Sequence, residues 1–479
     1  MKSKYTIFIL SSITLLNFFL SDQIILGNLF GLIQILIVIY LILIKKVKTA
    51  FIWHLIFFVS SLNFSIMSDS VLESTVTYNY SKLKFFGAFP IVYILNLIFF
   101  IIIRKNGSKN QIFNKFIKEF LFINVIATFT GIFGLLLYGY SLHYFIVYFY
   151  YCSTLYFILT VFARLFNFTY FILFRDTILL LLLISPICSL FLMLFNFNSF
   201  YGGVTTIPVN SLFLFVPFIL FSKYKLNKPL YFLSLFSFSI VSLFSTGGKG
   251  VVFILLIILL IIFLKIKSLK RKFTFTFILI FSYLLIFNGP SLDKLYLPNN
   301  SGYLAVHKFN QFITIFDAES NLENVSTSPR VRIAETLNIS YLYLNSPFKF
   351  LFGTGFGGYF EDYLGLFKLI DLSKGSFSNE QIISGKFYRP HDSLPVIFLL
   401  YGLPGLVFYF RWGYKIFTKS VYSRYFAGVI PWLILTYGFD LNIAITGVIF
   451  LYLACYEFKN FNNKISYPFN QKNENFKTN

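Results

Sequence analysis

This chain of 479 residues is 57% hydrophobic and only 12% charged, whereas a soluble domain carries about 25% charged residues. Its formal net charge is +22, but the basic residues form short clusters between apolar runs, which is typical of a polytopic membrane protein and argues against a nucleic-acid partner. The three cysteines, Cys152, Cys188 and Cys455, lie within apolar runs without pairing or metal-ligand spacing, so we predict no metal site and no disulfide framework.

Apolar runs of about 17–25 residues recur along most of the chain and predict an all-α integral membrane protein with about 12–14 transmembrane helices. They divide the chain into N-terminal helices (1–199), a second group of helices (200–288), a large loop (289–390), C-terminal helices (391–458) and a tail (459–479). The predicted spans are residues 5–20, 24–44, 49–66, 85–103, 119–138, 143–163, 177–196, 209–222, 229–244, 251–265, 273–288, 391–410, 425–439 and 441–457.

The loops between these spans alternate in charge, and the alternation predicts which side of the membrane each loop faces. Basic clusters occupy one set of loops, which the positive-inside rule places in the cytoplasm together with both termini. The other set includes the loop 289–390, which has equal numbers of acidic and basic residues and is therefore predicted to face outward. The basic clusters lie at 45–48, 104–118, 164–175, 223–228, 265–272 and 411–424.

The middle of the long outer loop is predicted to form a helix over residues 330–345. Ser328-Pro329 provides a capping residue and a proline suited to the first turn, and Ser346-Pro347 stops the helix. The glycine-rich segment 353–358 follows. We interpret it as a flexible turn and not as a nucleotide site, because no strand precedes it and it lies outside the membrane.

His391 is the leading candidate for chemistry, because it opens the span 391–410 next to Arg389. The partial positive charge of a helix N-terminus favours a neutral imidazole, which can accept a proton as a general base. Gly402 and Gly405 fall within about 40° of His391 on the helix wheel, so one face would carry both the base and a notch for a neighbouring helix. The alternative is a capping or interfacial histidine that only hydrogen-bonds the loop.

Three further cations could face an anionic substrate, and each also has a plainer structural interpretation. Lys249 lies among glycines at the outer end of two spans, where backbone amides are free for an anion. Its alternative role is that of a lysine that snorkels to the membrane interface. Arg330 and Arg332 open the loop helix, and their alternative is a solvated helix start.

The order and spacing of these residues resemble the O-antigen ligase and O-antigen polymerase superfamily of bacterial envelope glycosyltransferases. That family has a His followed by Asn, Ser or Gln, then nine residues, then GxxG at the start of a span. This chain has His391-Asp392, nine residues, and then Gly402 and Gly405 at the ends of the GLPG sequence. Asp392 thus stands where the family has an amide or a hydroxyl.

Two upstream features extend the resemblance to about residues 200–460. The family's loop helix begins with Arg and ends in Pro before a Gly-x-Gly turn, and the corresponding residues here are Arg332, Pro347, Gly353 and Gly355. The family also has an arginine that enters a span after small residues, and Lys249 occupies the corresponding place.

The resemblance implies a GT-C-like enzyme that moves a glycan from undecaprenyl diphosphate to an acceptor glycan at the outer face of the bacterial cytoplasmic membrane. The family needs neither a metal nor another cofactor. The implied partners are the lipid-linked oligosaccharide, the acceptor glycan, the bilayer and a chain-length regulator. By this resemblance His391 is the base, the substrate-binding cations are Lys249, Arg330, Arg332 and Arg389, and the structural motifs contain Gly353, Gly355, Asp392, Gly402 and Gly405.

Three functions remain open from the sequence. A polymerase of O-antigen or capsule repeat units and a ligase that attaches finished glycan to lipid A–core share their chemistry and differ in acceptor. The long loop favours the polymerase. A flippase or transporter tends to have internal repeats and ionisable residues near mid-membrane, whereas the charged residues of this chain lie at span ends.

The charge alternation predicts the result of topology reporters. A reporter fused near Ser376, in the long loop, should be active outside the cell. Reporters fused near Lys270 and Lys419, in basic segments, should be active inside. A cytoplasmic signal at Ser376 would contradict an extracytoplasmic site.

Overall fold

The computed structural model describes only part of the chain. Two predicted site residues, Lys249 and Asp392, lie outside the described residues, as do the predicted spans 251–265, 273–288 and 425–439 and the predicted tail 459–479. The described residues are 2–21, 23–61, 79–85, 89–103, 111–165, 168–194, 199–201, 204–206, 209–213, 215–216, 228–244, 327–367, 377–391, 393–419, 441, 444–450 and 452–453.

Helices dominate the described part of the first 250 residues, as the apolar runs predict. Two short antiparallel ribbons also occur, in segments predicted to be loops or span ends: β1 (Lys84–Phe85) pairs with β2 (Phe89–Pro90), and β3 (Ser199–Tyr201) pairs with β4 (Val204–Thr206). The helices are α1 (Lys2–Leu20), α2 (Ile24–Leu43), α3 (Val47–Ser60), α4 (Ile91–Ile103), α5 (Gln111–Leu137), α6 (Leu142–Leu165), α7 (Phe168–Leu194) and α8 (Lys228–Phe244).

The described part of the long loop and of the following span contains further helices. The first of them covers the segment where a loop helix is predicted, and it begins three residues before position 330. The helix after it opens with Pro347, the residue predicted to stop its predecessor. These helices are α9 (Thr327–Leu344), α10 (Pro347–Phe352), α11 (Asn379–Ser384) and α12 (Ser393–Lys419).

Among the described residues, five helices are long and apolar enough to cross a membrane, so the protein is an all-α membrane protein. Shorter apolar helices accompany them at Tyr5–Leu20, Val47–Ser60, Ile91–Ile103 and Pro229–Phe238. The predicted span 209–222 differs from a regular helix where it is described, because residues 211–213 and 215–216 form short 3-10 turns. The five long segments are Ile24–Leu43, Asn114–Leu137, Leu142–Leu165, Leu173–Leu194 and Leu394–Lys415.

Helices α5 and α12 pack antiparallel to each other, because residues further along α5 contact residues earlier in α12. Near the start of α5, the Glu119 carboxylate pairs with the Arg411 guanidinium and accepts a 2.5 Å hydrogen bond from Nε1 of Trp412. Further along, Asn124 Oδ1 accepts a 2.9 Å hydrogen bond from the Tyr401 hydroxyl. The start of α5 and the end of α12 therefore share one end of the bundle, and the long loop meets α5 further along, where Phe356 N–H donates to Ala127 O at 3.0 Å.

A kink in α12 determines how the long loop is attached. Gly402 has φ 60° and ψ −148°, which interrupts the helix, and Pro404 has no N–H to donate to the carbonyl four residues earlier. The carbonyls before the kink take their hydrogen bonds from the loop instead. Thr354 N–H donates to Leu399 O at 2.8 Å, and Gly355 N–H donates to Leu400 O at 3.0 Å.

Side chains complete this attachment. The Thr354 hydroxyl donates to Leu399 O at 2.8 Å, and the Tyr343 hydroxyl lies 2.5 Å from Phe398 O and 2.9 Å from Leu399 O. Burial raises the pKa of Tyr343 well above its ordinary value, so the hydroxyl stays protonated and can donate. We call the group Tyr343, Gly353, Thr354 and Gly355 the loop clasp.

Two interpretations of the glycines need correction. The segment 353–358 is buried and hydrogen-bonded to α12, so it is not a flexible turn. The helix-wheel argument also fails, because the left-handed φ of Gly402 breaks the regular 100° advance between His391 and the glycines. Gly402 approaches the backbone of α10 and the loop clasp, whereas Gly405 faces Tyr401 in the preceding turn of its own helix.

Gly353→Ala should destabilise the protein through the loop clasp. A Cβ at this position would lie 2.2 Å from Leu400 O, and φ is 73° with ψ 178°. We expect a loss of roughly 2–5 kcal/mol in the free energy of unfolding, from backbone strain and overpacking together. The measurement is the thermal unfolding midpoint in detergent.

Gly385→Ala is the matched control. Gly385 also has a left-handed φ, 67°, but a Cβ there would meet no atom within 4 Å. Only the strain term of roughly 1–2 kcal/mol should appear. Equal losses for the two variants would mean that the close approach to α12 is not needed for stability.

Candidate active site

His391 is held by a carboxylate that lies 56 residues earlier in the chain. Its backbone N–H donates to both oxygens of Glu335, at 3.2 and 3.0 Å. Its ring Nδ1 lies 2.5 Å from Oε1 of the same carboxylate. The Glu335 side chain is 0% exposed and that of His391 is 11% exposed, so water is largely excluded from the pair.

This contact assigns different roles to the two ring nitrogens of His391. An ionised carboxylate only accepts hydrogen bonds, so Nδ1 is the donor in this contact and Nε2 is the ring nitrogen that is left for another partner. The Phe377 ring packs edge-on against the imidazole, with centroids 4.9 Å apart and an interplanar angle of 78°. The imidazole is therefore held in one orientation by the carboxylate and by the ring, and a general base requires such orientation.

The position of Glu335 follows from the pattern of α9. Val331 and Ile339 lie one turn before and one turn after it, and both are buried in an apolar cluster beneath the loop. Glu335 is therefore an acid on the apolar face of its helix, where a charge requires a partner. That cluster comprises Val331, Ala334, Ile339, Leu342, Tyr343, Phe360, Phe367, Phe377, Phe387 and Leu399.

Glu335 is not among the site residues predicted from the sequence, although the sequence contains a signal for it. Glu335 is the only acidic residue between 327 and 344, and its neighbours at three- and four-residue spacing are Val331, Arg332, Asn338 and Ile339, of which Val331 and Ile339 are apolar. A lone carboxylate on a buried helical face predicts a specific partner. Which residue that partner is depends on long-range folding and is not encoded in local spacing.

The loop segment that follows the clasp is hydrogen-bonded to α9 one turn after Glu335. Asn338 Nδ2 donates to Asp362 Oδ1 at 3.0 Å, and Leu364 N–H donates to Asn338 Oδ1 at 3.0 Å. Asp362 Oδ2 accepts from Phe367 N–H at 2.9 Å. Asn338 lies one turn after Glu335, so these bonds hold the segment 362–367 close to the site and stiffen its support.

The predicted cations lie on different sides of the pair. Arg332 is half-buried and lies three residues before Glu335, about 60° away around α9, whereas half-buried Arg330 is about 140° away. Arg389 is exposed and lies two residues before His391, near the start of α6, where the Tyr148 hydroxyl donates to Tyr388 O at 2.6 Å. Of the predicted cations, Arg332 and Arg389 are thus the ones that lie closest in sequence to the two residues of the pair.

The glycine motifs and His391 form separate parts of the structure. Helix α12 begins at Ser393, two residues after His391, so the histidine precedes the helix and does not sit in its first turn. Gly402 lies nine residues further, about 13 Å along the axis. Gly353, Gly355 and Gly402 therefore support the loop through the clasp and do not line the imidazole.

Comparisons with protein-family models, with curated proteins and with solved structures found no match to this chain. Within the described ranges, no group of three or more His, Cys, Asp or Glu side chains is arranged to hold a metal ion. An imidazole can accept and release a proton, and guanidinium groups can bind anions, so His391 and the arginines on its two supporting segments are the candidates for such chemistry.

The two arginines of α9 should respond differently to truncation. Arg332→Ala should reduce activity more than Arg330→Ala, because Arg332 lies on the side of α9 next to Glu335 and Arg330 faces elsewhere. Polymer formation in cells, normalised to protein level, measures the difference. Equal and mild losses would mean that neither guanidinium contacts the substrate.

Proposed function

We propose that this protein is a membrane glycosyltransferase that polymerises undecaprenyl-diphosphate-linked O-antigen or capsule repeat units without a metal ion. The observation that carries the proposal is the 2.5 Å contact between Nδ1 of His391 and the buried Glu335 carboxylate. This geometry supports a base that is oriented by a buried carboxylate just before a membrane helix. The spacing of His391 to the GLPG sequence supports the substrate class.

The proposed reaction uses His391 as the base. Nε2 accepts the proton of an acceptor hydroxyl while that oxygen forms a bond to the anomeric carbon of the donor. The bond between this carbon and the diphosphate oxygen breaks, and the diphosphate leaves with the electron pair. Glu335 keeps its negative charge throughout and stabilises the imidazolium that forms, as carboxylates do in other carboxylate–histidine pairs.

The leaving diphosphate requires positive charge where little water is present. Arg332 and Arg389 are the proposed partners, with Lys249 as the third and Arg330 further round the helix. Guanidinium groups form charge-assisted, often bidentate, hydrogen bonds to phosphate oxygens and need no metal for this. Half-buried Arg332 lies three residues before Glu335 in α9, and exposed Arg389 lies two residues before His391, so the two segments that carry the pair each supply one guanidinium for a diphosphate.

The membrane location supports a lipid-carried substrate. The loop clasp attaches the site to α12 and to α5, both of which contain segments long and apolar enough to cross a bilayer. A polyprenyl tail would lie in the lipid beside these helices while its diphosphate reaches the polar loop. The acceptor glycan and a chain-length regulator would approach from the water side.

His391 provides the decisive test of the mechanism. His391→Ala should leave the protein inserted in the membrane, and activity should fall by roughly 10²–10⁴-fold, the usual contribution of general acid–base catalysis. His391→Gln keeps hydrogen bonding without basicity and should be nearly as inactive. The assay is glycan extension by purified protein on a lipid-diphosphate donor. Full activity of the Gln variant, or loss of wild-type activity in EDTA, would contradict the proposed mechanism.

A deletion strain distinguishes the polymerase from the ligase, which shares this chemistry. A gel of surface polysaccharide should show cores that bear one repeat unit if the protein is a polymerase. Bare cores with polymer retained on the lipid carrier would instead identify a ligase and would correct the acceptor while leaving the mechanism in place.

A further inference from the structure

Helix α10, in the long loop, carries large apolar side chains that the rest of the described structure leaves exposed. Phe348 is 68% exposed, Leu351 47% and Phe352 38%, and the two phenylalanine rings contact each other with centroids 4.8 Å apart. Leu344, at the end of α9 and four residues before Phe348, is 82% exposed. We call these four residues the α10 face. A contiguous apolar surface of this kind marks a contact with lipid or with another protein.

The loop segment that follows α10 lies well below the end of α5. A Cβ on Gly131 would lie 2.4 Å from Phe356 O, so the two backbones are in direct contact. Gly131 is six residues before Leu137, the last residue of α5, which corresponds to about 9 Å along the helix axis. The apolar segment of α5 continues to Leu137. Although the loop is predicted to lie outside the membrane, at this point it dips below the end of an apolar span.

The packing of α10 on α12 gives a similar depth. A Cβ on Gly402 would lie 2.5 Å from Phe350 O and 3.1 Å from Lys349 O, so the end of α10 packs at this glycine. Gly402 is eight residues beyond Leu394, where the apolar segment of α12 begins, or about 12 Å along the axis. The hydrocarbon core of a bilayer is about 30 Å thick, so one leaflet contributes about 15 Å. Helix α10 is thus at a depth at which a leaflet consists of acyl chains.

The helices that α10 contacts, α5 and α12, expose apolar side chains beside it. On α5, Phe133 and Leu136 are exposed, and both lie between Gly131 and the end of the helix. On α12, Leu403 and Val407 are exposed just beyond Gly402. Exposed apolar side chains on helices that cross a membrane face its acyl chains. The α10 face is therefore continuous with lipid-facing surface on both neighbours, which favours lipid over another protein as its occupant.

The backbone around α10 meets the requirement of an apolar solvent. Phe350 N–H donates to Ser346 O at 3.0 Å, and Gly353 N–H donates to Lys349 O at 2.7 Å. The next N–H groups, those of Thr354 and Gly355, are bonded to α12 through the loop clasp. Backbone outside a long helix is tolerated at membrane depth only where its polar groups are paired within the protein.

The single charged residue of α10 also fits a position in the membrane. Lys349 is half-buried, and its Nζ lies 5.8 Å from the ring centroid of Tyr138, the residue directly after α5. A lysine can extend its stem through an apolar surrounding and keep its ammonium at the headgroups, a level at which tyrosine is also favoured. The cation and the apolar face of α10 thus match the two layers of one leaflet.

We infer that α10 is embedded in the bilayer and that the α10 face packs against acyl chains of the leaflet at the loop end of the bundle. The long loop is then attached to the membrane as well as to α12. This inference goes beyond glycosyl transfer, because it concerns the partner of a surface and stands or falls independently of the reaction at His391.

Spin labels report directly which surrounding the α10 face meets. Phe348→Cys and Leu351→Cys are labelled in the full-length protein and reconstituted into vesicles of phosphatidylethanolamine and phosphatidylglycerol. The signal of wild-type protein taken through the same labelling is subtracted. Power saturation measures collisions of the label with oxygen, which concentrates in acyl chains, and with a water-soluble nickel chelate. We expect frequent collisions with oxygen and rare collisions with nickel at both positions.

Two matched positions calibrate this measurement. Leu136→Cys lies near the end of α5, where the side chain is 74% exposed, and provides the reference for a label in lipid. Ile383→Cys lies in α11, where the side chain is 86% exposed, and provides the reference for a label in water. The ratio of oxygen to nickel collisions on α10 should equal that at Leu136 and exceed that at Ile383.

Each alternative occupant of the α10 face gives a different result. A ratio on α10 equal to that at Ile383 would place this helix in water and overturn the inference. Rare collisions with both oxygen and nickel would show that protein covers the face, from this chain or from a second copy, and would overturn it as well. Both cysteine variants replace exposed side chains, so agreement between them excludes a local disturbance at one position.

Discussion

Hydrogen bonding to the backbone of α12 before its kink is the constraint on which the site depends. Pro404 has no N–H to offer the Leu400 carbonyl, and the left-handed φ of Gly402 interrupts the helix at this point. Backbone carbonyls are costly to leave without a donor in an apolar surrounding. The loop clasp supplies the donors from Tyr343, Thr354 and Gly355. The kink and the loop therefore stabilise each other, and the loop has one register on the bundle.

The fixed position of the loop on the bundle explains how the Glu335 carboxylate can be buried close to its partner. Tyr343 lies in α9, two turns beyond Glu335, so bonding of Tyr343 to α12 brings this carboxylate over the segment that precedes α12. The apolar cluster fills the space between α9 and the loop, and Phe377 packs on His391. The imidazole of His391 is thus oriented by packing and by a hydrogen bond, both of which depend on the clasp.

Local sequence patterns predicted much of this fold because helices depend on local spacing. The apolar runs located the described membrane helices, and Ser346-Pro347 marked the boundary between α9 and α10. The helix wheel failed at Gly402, since a single residue with a left-handed φ changes the direction of everything beyond it. Asp362 and Asn338 also bond over a long separation, which no local pattern reveals.

Local spacing also predicted only part of the candidate site. His391 and the cations beside it followed from motif spacing, whereas Glu335 is 56 residues from His391 and is joined to it only by the folded loop. The glycines of the two motifs have a structural role that spacing did not indicate, because they allow α10, the clasp and α12 to approach closely.

The central claim is that Glu335 acts through His391 as one catalytic unit. A double-mutant cycle with Glu335→Gln, His391→Gln and the combined variant, measured as kcat of purified and folded protein, tests it most directly. Residues that act as a unit have strongly non-additive effects. We expect Glu335→Gln alone to be impaired and the combined variant to be no worse than His391→Gln. Losses that multiply in the combined variant would contradict the claim.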